Sequence, residues 1–129
     1  MEIDCSSNNI QYINNQTVED FIIKAIEFQC EFDVAVVFFN LLSEKYSFKS
    51  FKGNVWIDKY NPSLPTKEVS TNLRNEITTT LKYAFENYSK NLNTETEQYK
   101  SCLKLIEKFN KTNFKNNLIR ELRELFFDN

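Results

Sequence analysis

Apolar residues recur every three or four positions over most of the chain, a pattern that predicts amphipathic helices. The first helix should begin at Thr17, whose side chain can cap the turn that follows, and should end near residue 29. Asp33 is the candidate N-cap of a second helix, because residues 34–42 are apolar at nearly every position. Such a run fits a buried strand or a buried helix, and the cap and the polar Asn40 within the run favour the helix.

Residues 46–60 alternate between apolar and polar instead. Two alternating arms flank Lys52-Gly53-Asn54, and both glycine and asparagine tolerate a positive φ angle. The sequence therefore predicts a β-hairpin with a short turn. This hairpin holds the only glycine of the chain and its only tryptophan, Trp56.

Three further amphipathic helices are predicted after the hairpin. A long one starts at about Val69, the next opens at the capping-box pattern Thr94-Glu95-Thr96-Glu97, and Thr112 or Asn113 caps the last. One stripe along the long helix is made of Val69, Leu73, Ile77, Leu81, Ala84, Phe85, Tyr88 and Leu92. The apolar face of the next helix is made of Tyr99, Cys102, Leu103, Ile106 and Phe109. These faces should pack together in one core.

The composition fits one folded domain. A chain of 129 residues, of which 41% are hydrophobic and 15% aromatic, has enough apolar side chain for a single core. We expect a mainly α fold over residues 17–129, with about five helices and one inserted β-hairpin at 46–60, preceded by a flexible arm at 1–16. No apolar run approaches the roughly 18–20 residues that cross a bilayer, and no signal peptide opens the chain. The sequence therefore predicts a soluble, intracellular domain with no membrane partner.

The residue types that are missing exclude several kinds of chemistry. The chain has no histidine, which excludes Ser-His, Cys-His and His-metal sites, and its single glycine cannot build a phosphate-cradling glycine loop. Its three cysteines, Cys5, Cys30 and Cys102, follow neither a zinc spacing nor a disulfide framework, and the two in apolar helical patterns are interpreted as small core residues. The acids between positions 19 and 33 are interpreted as a solvated helix face, not as a metal site. We expect a non-catalytic domain with no cofactor and no metal.

Two basic patterns are candidates for contact with nucleic acid, since the acids concentrate before residue 46 and the bases after it. On one continuous helix, five lysines would share a face that could follow a line of phosphates: Lys100, Lys104, Lys108, Lys111 and Lys115. The hairpin places Lys49, Lys52 and Lys59 among aromatic residues that include Trp56. Each pattern also has a plainer interpretation, in which the lysines solvate an outer helix face and the hairpin aromatics pack inward.

The apolar face of the last helix is open to two interpretations. It is made of Phe114, Leu118, Leu122, Leu125 and Phe126, with Phe127 beside it. These side chains are candidates for an exposed surface that binds a partner protein, and they would serve equally well as core.

Four elements of the chain follow one another in an order similar to that of a known family. An Asp-Val-Ala helix is followed by a hairpin with a tryptophan near the start of its second strand, then by a Leu-Arg-x-x-Ile helix and by a helix that ends in Glu-x-x-x-Leu-Phe. The residues that carry this order are Asp33, Val34, Ala35, Asn54, Trp56, Leu73, Arg74, Ile77, Lys111, Thr112, Phe114, Lys115, Glu121, Leu125 and Phe126. Over about residues 32–128 the chain resembles the region just upstream of the superfamily-3 helicase in primase–helicases of large nucleocytoplasmic DNA viruses and related phages.

The chain departs from that family in two ways. Tyr60-Asn61-Pro62-Ser63 stands where the family usually has a second tryptophan. The Walker motifs of the helicase and the primase module are absent from this sequence, as they would be in an excised domain or in a stand-alone relative.

The resemblance implies a helical adaptor that is not itself catalytic. Such an adaptor would join primase to the helicase ring, would help the assembly to associate with itself, and would contact DNA through the candidate lysines. The alternative is a protein-interaction or oligomerisation module that does not bind nucleic acid, for example a small viral host-interaction protein. The abundance of Asn and Lys and the scarcity of Gly, Pro and Ala, typical of an AT-rich genome, agree with either function.

Overall fold

A computed structural model describes residues 17–49 and 53–129. The predicted N-terminal arm and Lys52 of the predicted turn lie outside these ranges. The elements are α1 (Val18–Phe28), α2 (Glu31–Leu42), β1 (Tyr46–Lys49), β2 (Val55–Asp58), α3 (Thr66–Glu76), a π-helical turn (Ile77–Leu81), α4 (Lys82–Ser89), α5 (Glu97–Lys108) and α6 (Thr112–Leu125). Because α3, the π turn and α4 form one rod, the described ranges contain five helical rods and one antiparallel hairpin. The predicted mainly α fold with an inserted hairpin is confirmed.

The start of the first helix is confirmed down to its hydrogen bonds. The Thr17 side chain accepts the backbone N–H of Asp20 at 3.2 Å, and the Asp20 carboxylate accepts the backbone N–H of Thr17 at 3.2 Å. This reciprocal pair satisfies two donors that a helix start would otherwise leave without a partner. Residues 34–42 are helical, as favoured, and form most of α2.

The predicted caps of the later helices are wrong. Gln29 adopts a positive φ of 58° and turns the chain so sharply that α2 begins at Glu31, which leaves Asp33 inside the helix as acceptor of the Cys30 thiol. The cap of α5 is Thr96, which accepts the N–H of Tyr99, because the Asn93 side chain holds the preceding turn through the N–H of Glu95. In α6 the N-cap position is taken by Lys111, one residue before the predicted cap.

The spacing of the buried residues in the rod over residues 66–89 accounts for its π turn. Its buried residues are spaced four residues apart, whereas an α-helix repeats every 3.6 residues. In a regular α-helix each buried side chain would therefore lie about 40° further around the helix axis than the one before it. The wider π turn takes up this drift. The hydroxyls of Thr78 and Thr79 both donate to the Asn75 carbonyl, at 3.2 and 2.8 Å, a contact that competes with the regular helix bonds. As a result the whole stripe stays inside the core, fully buried at Val69, Leu73, Ile77, Leu81 and Phe85.

The hairpin is tied to the C-terminal end of the described chain. Phe48 is paired with Trp56 in the register of the two strands, and their rings lie 4.9 Å apart between centroids. The backbone N–H of Phe48 donates to the Phe126 carbonyl, and the Asp128 N–H donates to the Phe48 carbonyl, both at 3.0 Å. Phe127 therefore forms an isolated parallel β-bridge with Phe48 of β1.

Gly53 provides the first testable prediction. It adopts a φ of 96° and Asn54 a φ of 65°, and a Cβ added at Gly53 would meet no heavy atom within 4 Å. We therefore expect Gly53→Ala to lower the free energy of unfolding by about 1–2 kcal/mol through backbone strain alone, measured by urea denaturation. Asn54→Gly is the control and should change the stability by only a few tenths of a kcal/mol. An unchanged stability in Gly53→Ala would show that the turn does not need a positive φ there.

The core lies among all the helical rods, with the hairpin packed on one end. Phe28, which continues the apolar spacing of α1, is 55% exposed. On α5 the predicted Leu103 is 41% exposed, whereas Leu105 is fully buried. The reason is angular, because Cys102, Leu105 and Ile106 are spaced three and four residues apart and Leu103 lies about 100° around the helix from Cys102. In the part of the chain that the structure describes, no helix is both long enough and apolar enough to cross a membrane.

Candidate nucleic-acid interface

The predicted lysine stripe does not form one continuous face. Helix α5 ends at Lys108 and α6 begins at Thr112, and between them Lys111 has an extended backbone with a ψ angle of 134°. The stripe is thus divided between two helices. Lys100 lies 3.8 Å from the Glu97 carboxylate. Within residues 17–49 and 53–129, the other four make no ion pair: Lys104, Lys108, Lys111 and Lys115.

The tryptophan of the hairpin follows the plainer of the two interpretations, in which the hairpin aromatics pack inward. Trp56 is only 5% exposed, and its ring packs against Phe48 at 4.9 Å and Phe126 at 5.6 Å between centroids. It therefore stabilises the core and has no open face on which a base could stack. The ammonium of Lys49 lies 3.6 Å from the Asp128 carboxylate, and Lys59 is exposed.

Most of the candidate interface of the last helix is core in this fold. Four of its side chains are at most 7% exposed: Phe114, Leu118, Leu122 and Phe126. They are buried mainly because α6 packs along α2 and its end meets the hairpin, so they are not available to a partner of the folded monomer. Leu125 is half-buried, and Phe127 is 48% exposed.

Two adjoining depressions form one groove between the hairpin, α3 and α6. The larger has a volume of about 530 Å³. The smaller, about 290 Å³, shares Arg74, Ile119 and Arg123 with it and extends it to Asn116 and Arg120. The larger depression is lined by Phe48, Asn54, Trp56, Thr66, Ser70, Leu73, Arg74, Ile119, Arg123 and Phe127. We call the two together the arginine groove, because all three arginines of the chain line it.

Neutral groups, not carboxylates, hold the three guanidinium groups in place. Arg74 donates to the Asn116 amide oxygen at 2.9 Å, and Arg120 donates to the Asn117 amide oxygen at 3.1 Å. The guanidinium of Arg123 lies 5.9 Å from the centre of the Phe48 ring, a cation–π distance. No carboxylate of the described ranges lies within ion-pair distance of any of the three. Their positive charge is therefore available to a bound anion.

The walls of the groove are fastened to one another by hydrogen bonds. The backbone N–H of Trp56 donates to the Thr66 hydroxyl at 3.0 Å, and that hydroxyl donates to the Trp56 carbonyl at 3.2 Å, which joins the start of α3 to β2. Arg74 and Asn116 join α3 to α6. The groove is thus held open by its own scaffold, a condition for binding a ligand with little ordering cost.

The ionisable cluster around Glu76 is satisfied internally. Its carboxylate accepts the Lys45 ammonium and the Tyr46 hydroxyl at 2.9 Å each, and the Thr80 hydroxyl at 2.5 Å. Burial on its own would raise the pKa of Glu76, but the hydrogen bonds from Thr80, Lys45 and Tyr46 together outweigh it and lower that pKa. Burial also raises the pKa of the Tyr46 phenol. All of these groups are engaged with one another, so we interpret the cluster as structural.

The buried thiol and the arrangement of potential metal ligands among the described residues bear on whether a reactive site is present. Burial raises the pKa of the Cys102 thiol to about 11, which keeps it protonated at neutral pH and unreactive as a nucleophile. No group of three or more potential ligands in residues 17–49 and 53–129 is arranged to hold a metal ion. What the arginine groove can do chemically is bind an anion that also carries an apolar part.

Sequence reasoning did not single out the arginines as site residues. Arg74 entered only through the family resemblance, and Arg120 and Arg123 were passed over. The available signal was the scarcity of arginine, which makes up three of the sixteen basic residues, together with the i, i+3 spacing of two of them on the last helix. That α3 brings the third beside them depends on tertiary packing. No protein-family model, curated protein or solved structure matches this chain.

Proposed function

We propose that this chain is a non-catalytic accessory domain of a DNA-replication assembly and that it holds the phosphate backbone of DNA in the arginine groove. One observation carries the DNA contact: all three arginines line a single groove with no carboxylate in ion-pair distance among the described residues. The planar guanidinium fork matches two phosphate oxygens at once, which a lysine ammonium does not. The link to replication rests on the resemblance to the region upstream of the helicase in viral primase–helicases.

The charge repulsion within the arginine groove supports a ligand-binding role, because a bound anion would remove it. Three like charges that line one groove repel each other and lower the stability of the free protein. Amide partners, such as Asn116 for Arg74, fix the direction of the guanidinium without neutralising it. A bound phosphate would relieve this repulsion and complete the hydrogen bonds that the amides leave unfilled.

Titration of a fluorescent single-stranded DNA, followed by anisotropy at low and at physiological salt, tests the proposal. The double variant Arg74→Gln with Arg123→Gln should bind at least tenfold more weakly, equivalent to about 1.4 kcal/mol, and should show a shallower salt dependence. The matched control is Lys104→Gln with Lys108→Gln, which removes two positive charges from α5 and should weaken binding much less.

Equal losses in the two double variants would contradict the groove as the site, and would favour the predicted lysine stripe. An absence of salt-sensitive binding at low salt would overturn DNA contact altogether. Circular dichroism on each variant checks that the fold is kept.

A second candidate function is favoured by two exposed phenylalanines. Phe28 and Phe32, on either side of the turn between α1 and α2, are 55% and 50% exposed. Apolar side chains at such a site are typical of protein–protein contact and favour the interaction or oligomerisation module. Light scattering on the free protein tests it, because a discrete oligomer that Phe28→Ser with Phe32→Ser disperses, together with no DNA binding, would support this function instead.

A further inference from the structure

We infer that the arginine groove takes a single-stranded nucleic acid, with an unpaired base against its apolar wall and the phosphates on its arginines. The inference rests on the proposed function and specifies the class of nucleic acid. It is drawn from the composition of the two sides of the groove.

The two sides of the groove differ in chemistry. One side is apolar and is made by the hairpin and the end of α6, with Phe48, Trp56 and Phe127. The other is basic, with Arg74 on α3 and Arg120 and Arg123 on α6. A phosphate chain alone would use only the basic side. A nucleotide has an apolar, flat base beside its phosphate and would use both.

The size and concave shape of the groove favour an unpaired base. At about 530 Å³, the larger depression is within the range of pockets that enclose a small molecule, roughly 300–1,000 Å³. A duplex stacks its bases inside and presents a convex surface of phosphates, and moving one base outward costs a few kcal/mol. A single strand presents its bases without that cost.

Phe127 is the residue placed to stack on the base. It is 48% exposed, whereas Phe48 and Trp56, which line the same depression, are 9% and 5% exposed. Its backbone is held on both sides, because the Phe126 carbonyl accepts the Phe48 N–H and the Asp128 N–H donates to the Phe48 carbonyl. The ring is therefore presented from a backbone that hydrogen bonds hold in place, which lowers the ordering cost of binding.

Asp128, the residue after Phe127, has a basic partner that reduces its repulsion of a bound phosphate. The carboxylate of Asp128 lies 3.6 Å from the ammonium of Lys49, which offsets its charge. The ammonium of Lys49 therefore reduces the repulsion between Asp128 and a bound phosphate.

Three DNA ligands of the same length separate the contributions of base and phosphate. They are a single strand of about 15 nucleotides, its duplex, and an abasic strand that keeps the phosphates and lacks the bases. By anisotropy we expect the single strand to bind at least fivefold more tightly than either of the others. Phe127→Ala should weaken binding of the single strand about fivefold or more, should leave binding of the abasic strand unchanged, and should be rescued in Phe127→Tyr.

The outcomes distinguish this inference from the function on which it rests. Equal affinities for the three ligands, all reduced by Arg74→Gln with Arg123→Gln, would overturn the inference and leave the proposed DNA contact in place. A polyglutamate peptide that competes as well as the single strand would also overturn it, because such a peptide supplies charge without bases. No binding by any of the three DNA ligands would overturn the proposed function itself.

Discussion

Phe126→Ala should lower the free energy of unfolding by about 3–5 kcal/mol, the usual cost of truncating a buried phenylalanine. Phe126 is fully buried and lies edge-on to three other rings, with centroid distances of 5.9 Å to Phe38, 4.9 Å to Phe39 and 5.6 Å to Trp56. Its removal would leave a cavity where α2, the hairpin and the end of α6 meet. Edge-to-face pairs add to the loss, since each contributes about 0.5–1.5 kcal/mol beyond burial.

Urea denaturation measures this loss, and the neighbouring residue is the control. Phe127→Ala removes the same ring one position further along, where it is 48% exposed, and should cost about 1 kcal/mol or less. The two variants thus separate core from surface at adjacent positions. A loss below about 1 kcal/mol in Phe126→Ala would contradict the packing described here and would reopen the interpretation of this face as an interface.

Glu76→Ala should cost about 2–4 kcal/mol in the free energy of unfolding. The change takes the acceptor from three donors at once, those of Lys45, Tyr46 and Thr80. The Tyr46 ring is fully buried, so its hydroxyl would be left without the acceptor it has now, whereas Lys45 is partly exposed and can turn to water. Glu76→Gln keeps one oxygen as acceptor and should cost less than half as much.

The same variants give a pH dependence whose direction follows from the pKa. The pKa of Glu76 is lowered in the folded state from its ordinary value of 4.5. Its contribution to stability is therefore fully present above about pH 4.5 and is lost as the pH falls through the folded-state pKa below that value. Urea denaturation at about pH 7 and about pH 3 should show the gap between the wild type and Glu76→Gln narrowing in acid. A gap that widens in acid would contradict this prediction.

The sequence predicted those parts of the fold that depend on local periodicity. The stripe from Val69 to Phe85 follows from spacing alone, because a helix with one apolar face buries that face against its neighbours. The Thr17 cap was found for the same reason, since all of its partners lie within four residues.

What the sequence did not predict depends on contacts between distant residues or on small shifts of a helix start. The cap predicted at Asp33 was misplaced because the positive φ of Gln29 turns the chain earlier, and the cap predicted at Thr94 because the Asn93 side chain holds the preceding turn. Whether Phe126 was core or interface depended on where α2 and the hairpin lie, which spacing along one helix cannot show. The meeting of Arg74 with Arg123 requires α3 and α6 to be neighbours, and their positions in the sequence are 49 residues apart.

The π turn in the rod also makes this stretch tolerant to a change in length. In a regular α-helix, deleting one residue rotates everything that follows by about 100° relative to what precedes it. The π turn already contains one residue more than a regular turn, and Thr79, at its middle, is exposed. Without Thr79 the rod would become a regular α-helix that still directs Leu73 and Phe85 towards the same core. Residues 77–81 are therefore the place in this rod where one residue can be deleted while the helical segments on both sides keep their buried faces.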